Sequence, residues 1–402
     1  MGIFLTMVNR STETYTSHKI FTTVDHQQLF ISVPVTLPEK DPECTIEAIY
    51  QRIAELLVAS SSHIVHERCY GDLQYQQQLL RSRTAIFKRY DIDSDTPVTF
   101  IEGRSCRESK FAGVQLRAII PHPKRRVWTI RDEGVPKGRA WSHNGTTFYI
   151  LQGVDGWRDL SMKSADRLSQ SEAMFHQADK LLQRQGTAFR NVVRTWIYLS
   201  DILDWYGDFN AVRNQCYCRY GFLGSSNEAA ENIFLPASTG IEGKNPAGPP
   251  ATMDVFAVHR SPCSLTNIRP TYGKKQGSPY RYGSAFSRAI VVEEPKSKLI
   301  LVSGTASIDR EGKSVFLNDV EAQIHHTFDV ISSLIGSEGA TMQDICESTV
   351  FLKRKEDFPI FQALADQMGF SSAPSIHMVA DVCRDELLFE IDAAFLLEKI
   401  TS

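Results

Sequence analysis

Three stretches of this chain carry the same ordered set of landmarks, and repetition of that kind restricts the fold more than any single motif. A helix-patterned segment opens each copy, at 47–57 (EAIYQRIAELL), 172–182 (EAMFHQADKLL) and 321–331 (EAQIHHTFDVI). Each begins Glu-Ala and ends in an aliphatic pair. A short apolar strand with an aromatic follows, Tyr70, Tyr198 and Phe351 lying 23, 26 and 30 residues beyond the opening glutamates. A second helix ends near Tyr90, Tyr220 and Phe370, a further 20, 22 and 19 residues on. Each copy closes on a strand, at 113–120, 251–258 and 387–395. Each also has an earlier strand, in HQQLFISVPV, TTFYILQGV and KLILVSGTASI. Helical and period-2 patterns alternating in this way predict an α+β fold in which each copy is a mixed sheet backed by two helices. The expected organisation is a polar, frayed leader over 1–17, a first domain over 18–120, a second domain with its linker over 121–280, and a third over 281–402.

The closing strand of the third copy holds the first candidate for chemistry. In VADVCRDELLFEIDAAF, period-2 reading puts Leu387, Phe389, Ile391 and Ala393 on one face and Leu388, Glu390, Asp392 and Ala394 on the other. Neither face is a solvent face. Glu390 has no basic neighbour on its own strand, so it reaches a cleft or is buried, and both cases raise its pKa. The first copy has Gln115 and Arg117 where the third is acidic, and matching Ala257 to Ala394 places Met253 at the Glu390 position.

Several function classes are excluded by what the 402 residues lack. A net charge of -3 does not suit a chain that holds phosphate backbones by bulk electrostatics. The most basic patch, PHPKRR at 121–126, is short, bounded by proline and free of interleaved aromatics, so it reads as a linker and nucleic acid is not expected as a partner. No run approaches the ~18 apolar residues of a membrane span. The start lacks a secretory signal, and Gly2 with Thr6 meets a myristoylation pattern that alone would anchor weakly. The eight cysteines are scattered without a C-x-x-C, as suits reduced thiols in a cytoplasm, and the eleven histidines form no H-E-x-x-H. No metal and no cofactor are expected.

Other candidates flank the third copy. Ser169-x-x-Glu172 reads as a capping box, and Trp205, Phe209 and Val212 share a helix face that reads as core. Arg213, one position further, is placed at a pocket rim. The Gly-, Pro- and Tyr-rich segment 269–289 offers Tyr280, Arg281, Tyr282 and Arg288 as donors and stacking planes, and it ends in a strand. Arg288 binds either a substrate carboxylate or an internal partner. Cys383, seven residues before Glu390, is either a pocket wall or a thiol nucleophile beside Arg384.

These residues resemble the RidA/YjgF/YER superfamily, small α+β subunits of chorismate-mutase-like fold that trimerise with pockets between neighbours. The third copy carries the resemblance most clearly, with Val302-Ser-Gly304, Asp319-Val-Glu-Ala-Gln323 and Phe389-Glu-Ile-Asp392. The resemblance implies three tandem units arranged as an intrachain pseudo-trimer, hence a monomer or weak dimer. It also implies one competent cleft out of three, lined by the third copy and a neighbour. The family's substrate-binding arginine motif is absent from Ala373-Pro-Ser-Ile376, and its nearest equivalent is Gly103-Arg104-Ser105.

LPASTGI, YGSAFSRA, SGTASI and CRDELLFEI make the second half similar to the chorismatase branch. Through that resemblance Glu390 is the acid that protonates an enol ether, Arg288 holds a carboxylate, and Ala306 and Cys383 shape the pocket around the ring. In that branch such a cysteine accompanies hydroxybenzoate formation and alanine in GTAS accompanies hydrolysis, so this chain mixes the two. The expected function is a chorismatase-like hydrolase or lyase acting on a small carboxylate. The alternatives are a RidA-type enamine or imine deaminase, or a non-catalytic ligand binder of the kind labelled endoribonuclease or translation inhibitor.

Overall fold

The computed structural model of the protein describes residues 8–37, 41–157, 165–223 and 233–399. The Gly2 and Thr6 acylation pattern falls outside them. No helix among the described residues is long and apolar enough to cross a membrane.

The first part of the chain forms β1 (Asn9–Thr14), β2 (Lys19–Val24), β3 (Gln28–Pro34), α1 (Pro42–Ser60), β4 (His63–Gly71), α2 (Gln76–Arg89), β5 (Thr99–Glu102), the two-residue β6 (Arg104–Ser105) and β7 (Phe111–Ile119). Next come β8 (Arg126–Asp132), β9 (Val135–His143), β10 (Thr146–Val154), α3 (Arg167–Gln183), β11 (Val192–Leu199), α4 (Tyr206–Arg219), β12 (Ala237–Glu242) and β13 (Ala251–Arg260). The last part supplies β14 (Asn267–Thr271), β15 (Ala289–Glu293), β16 (Ser297–Ala306), α5 (Val320–Gly336), β17 (Ile345–Leu352), α6 (Phe358–Gln367), β18 (Ser375–Val379) and β19 (Phe389–Glu398).

Helix starts follow local chemistry. Asp41 caps α1 by accepting from the Glu43 and Cys44 amides, with Pro42 in the first turn, where its missing N–H costs nothing. In α1 the residues Ile46, Ile49, Tyr50, Ile53 and Leu57 are buried at helical spacing. The expected capping box at Ser169 is replaced by a cap one turn earlier. Asp166 accepts from the Leu168 and Ser169 amides, and the Ser169 hydroxyl donates to Asp166. A carboxylate with a β-region backbone is available before Ser169, so the helix starts there.

The strands make three sheets, ordered β1-β2-β3-β7-β4-β5, β8-β9-β10-β13-β11-β12 and β14-β15-β16-β19-β17-β18-β6. Each runs as three antiparallel strands, then the closing strand, then a parallel pair. Two helices cover one face of each sheet, and three cores lie beneath them. A fourth core is shared among the sheets, with Phe30 and Tyr70 from the first, Trp141 and Trp196 from the second, and Leu299 and Leu396 from the third.

Five expectations change. Asn9–Thr14 is not frayed but pairs with β2 as the edge strand, because its backbone groups find partners there. β14 belongs to the third sheet although it precedes residue 281, and β6 pairs with β18 of that sheet although it comes from the first part of the chain. The strand register also moves the residue equivalent to Glu390. Tyr70, Tyr198 and Phe351 pair with Gly113, Thr252 and Glu390 respectively, so Thr252 rather than Met253 occupies that place. A one-residue slip turns every side chain to the opposite face, and Met253 accordingly points into a helix-side core, as Ile391 does. By the same register Gln115 matches Asp392, while Arg117 matches Ala394 rather than an acid.

Candidate active site

β19 is buried on both faces, as its composition requires. Phe389, Ile391 and Phe395 enter the third helix-side core, and Ala394 and Leu396 enter the shared one. Gln323 anchors the start of the strand: its side-chain oxygen accepts from the Leu388 amide at 2.8 Å, and its nitrogen donates to the Glu386 carbonyl at 3.0 Å. Glu390 then lies across from Ala306 on β16 and Phe351 on β17. It is 4 % exposed, and among the described residues its carboxyl makes no hydrogen bond. Gly304 makes room for it, since a Cβ on that residue would stand 2.1 Å from Glu390 Oε1. Burial, reinforced by the Asp392 carboxylate and opposed by Arg194 and Arg288, raises the Glu390 pKa to about 8. The carboxyl is therefore protonated at neutral pH.

Beside this neutral acid stand buried cations. Arg288 is 3 % exposed, donates to the Gly277 carbonyl at 3.2 Å and to the Tyr282 hydroxyl, and sits 5.6 Å from the Phe286 ring centroid. Arg213 is 1 % exposed, donates to Asn210 Oδ1 at 2.6 Å, and lies 5.7 Å from the same ring, with its Nε unpartnered. Neither is ion-paired among the described residues. Of the two readings of Arg288, the internal ion pair is thus not formed. A buried cation without a counter-charge is costly, and the two here border one cavity.

Main-chain contacts between the second and third sheets hold the arrangement. Ser287 bridges to Ala237 at the start of β12, Ser238 N donates to Ser303 Oγ at 2.8 Å, and Ser303 Oγ donates to the Ser287 carbonyl at 2.6 Å. One layer deeper, Arg194 Nη2 pairs with Asp392 Oδ2 at 3.0 Å, and Thr239 Oγ1 donates to the same oxygen at 3.0 Å. Thr239 Oγ1 also accepts from Gly304 N at 3.1 Å, which ties this ion pair to the strand facing Glu390. The corresponding pair between the first and second sheets is His66 with Asp254, at 2.8 Å.

All six residues singled out from sequence, Glu390, Arg288, Cys383, Ala306, Arg213 and Tyr282, line one cavity of about 40 Å³. Arg213 is not at a rim but buried in the wall, over the Phe286 ring. Burial, with the Glu390 carboxyl adding, pushes the Cys383 thiol up to about 12, so it is no thiolate. Sequence reasoning did not single out Tyr206 and Gly240, which complete the wall on the β12 side. The Gly240 position was legible in LPASTGI, but nothing in the pattern tied it to the ring of Tyr206, 3.1 Å from where its Cβ would stand.

Comparison with known proteins follows the same division of the chain. Residues 282–395 match the family model Endoribonuclease L-PSP. The chain is 26% identical over 290 residues to a chorismatase from Streptomyces hygroscopicus, covering 67% of this chain and 77% of that protein. A crystal structure of chorismatase superposes with a TM-score of 0.58 at 18% identity, covering 83% of this chain and 93% of the other, which shows a shared fold. The chain therefore carries a region of the Endoribonuclease L-PSP (RidA) superfamily within a longer chorismatase-like stretch.

Proposed function

We propose that the protein is a chorismatase-like hydrolase or lyase that cleaves an enol ether joined to a ring-bearing carboxylate. The observation that carries this reading is a neutral, buried Glu390 beside two buried guanidiniums without counter-charges. A carboxylic acid still protonated near pH 7 can deliver a proton to carbon, and fixed cations orient and neutralise carboxylates. Two such cations favour a substrate with two carboxylates over the single one of a simple imino acid.

In the proposed reaction the Glu390 proton adds to the terminal methylene of an enolpyruvyl ether, and the carbon bearing the ether oxygen becomes an oxocarbenium centre. Addition of water to that centre makes a hemiketal and returns a proton to Glu390. The hemiketal collapses to pyruvate and the ring alcohol, so atoms balance with water as the only co-reactant. Arg288 and Arg213 hold the carboxylates, Tyr282 orients Arg288, and Ala306 and Cys383 border the ring. The segment carrying Tyr282 and Phe286 borders this cavity of about 40 Å³ beside Glu390.

The assembly belongs to the same proposal. Three RidA-like units, expected over 18–120, 121–280 and 281–402, sit about a pseudo-threefold axis in a monomer or weak dimer. The common strand order and the shared core support this. Only the cleft between the second and third units carries a carboxylate at the Glu390 place, since the others have Gly113 and Thr252 there.

The test is pyruvate release from chorismate, followed with a coupled dehydrogenase. Wild-type protein should release it and Glu390→Gln should not. A wild-type protein that leaves chorismate intact overturns the reading.

A further inference from the structure

The register that relates the three sheets identifies a second cleft built like the first. β18 pairs with β17 as β12 pairs with β11, so Ser375 and His377 occupy the places of Ser238 and Gly240. Pro34, opposite Gly113, occupies the place of Ala306, opposite Glu390. Residues from these places, with Lys19 and Phe21 on β2 and Phe361 on α6, line a cavity of about 160 Å³. That is roughly the liquid volume of five waters, enough for a single ring with a small substituent.

Its chemistry differs from that of the first cleft. No carboxylate replaces Glu390, because Gly113 has no side chain and Ile376 Cδ1 would lie 2.5 Å from a Cβ there. Arg107 and Lys19 border the cavity, and neither is ion-paired among the described residues. Arg107 is held 4.8 Å from the Phe358 ring centroid and donates to the Thr36 carbonyl at 3.4 Å. The only carboxylate in the lining is the exposed Asp366, so two cations against one anion leave one positive charge uncompensated. The Ser375 hydroxyl is buried and has no hydrogen-bond partner. The His377 ring lies against Phe358 and Phe361, at 5.5 and 5.4 Å, and makes no hydrogen bond among the described residues. Burial, with Arg107 and Lys19 adding, lowers its pKa to about 3, so it offers a neutral donor and acceptor.

We propose that this cleft is a second, non-catalytic site for a small ring-bearing monocarboxylate, its anion held by Arg107 and Lys19 and its ring against Phe21 and Phe361. The aromatic walls select an organic ring over a bare anion, and the single uncompensated charge selects one carboxylate. The site is independent of the chemistry at Glu390.

The test is calorimetric titration of the full chain with benzoate, and separately with inorganic phosphate. Benzoate should bind saturably to wild type, and a saturable site should persist in Arg288→Met, whose substitution disables the first cleft. Arg107→Met should weaken it by about tenfold or more, as loss of a charge-assisted contact of ~1.4 kcal/mol does. If Arg107→Met melts early, Lys19→Met carries the same expectation. The proposal is overturned if benzoate does not saturate, if Arg288→Met abolishes binding, or if both second-cleft variants bind as wild type does. Phosphate binding as tightly as benzoate overturns the ring-bearing class.

Discussion

Arg194 and Asp392 meet at 3.0 Å across the boundary between the second and third sheets, and both are almost wholly buried. This pair joins the stability of the assembly to the protonation of Glu390, because the Asp392 carboxylate is the charge that most disfavours ionisation of its neighbour two residues away. Asp392→Asn should therefore have two effects. Leaving Arg194 buried without a counter-charge costs about 3–5 kcal/mol, read by denaturant unfolding. In addition, the pKa governing the high-pH limb of the rate profile should fall. An unchanged limb would mean that Asp392 does not set the acid.

Glu390 makes stability depend on pH with a known sign. Its folded pKa of about 8 lies above the ordinary value of 4.5, so the folded state keeps a proton that the unfolded state has lost. Its contribution is fully present below about 4.5 and is lost as pH rises through about 8, on the order of a few kcal/mol in total. The melting temperature of wild type should fall across that window relative to Glu390→Gln, which cannot ionise. Turnover should fall above the same pKa, because only the protonated acid donates. Parallel melting curves for the two proteins would place the carboxyl in a wetter site than the one described.

Arg288→Met and Arg213→Met should separate binding from folding. Each removes a buried cation without a carboxylate partner, so neither variant should melt below wild type. Each should nevertheless lower kcat/KM roughly 10- to 100-fold, the worth of one charge-assisted contact of about 1.5–3 kcal/mol. A variant that melts lower with kcat/KM intact would assign that arginine a structural role.

Gly304→Ala should fold, because the atom its Cβ meets at 2.1 Å is the mobile end of the Glu390 side chain. The displaced carboxyl no longer points into the cavity, so activity should drop by about 100-fold, the scale set by misplacing a reacting group by an ångström. Circular dichroism and pyruvate release, measured on the same sample, check the two halves.

Cys383→Ala should retain most activity. The thiol, pushed up to about 12, is neutral at working pH and borders the ring without attacking it. Loss comparable to that of Glu390→Gln would restore the thiol as a nucleophile.

Much of this protein was readable from local pattern. Helix-spaced and strand-spaced apolar residues set out the repeating order of elements, and a lone glutamate in an apolar strand marked the acid, since local periodicity and composition are properties of the chain itself. Edge strand β1 was missed because exposed residues such as Ser11 and Thr12 carry no apolar alternation to mark it. The match of Glu390 to Thr252 rather than Met253 follows from the strand register, which matches Ala257 to Phe395 rather than Ala394, and which counting along the chain cannot supply. Only tertiary structure decided that Arg213 and Arg288 have no carboxylate counter-charge among the described residues and lie over the same ring, because whether a charge is paired depends on which distant segments meet. The sequence determined which groups are present; the packing of the second sheet against the third determined which of them are dry, unpaired and within reach of one another.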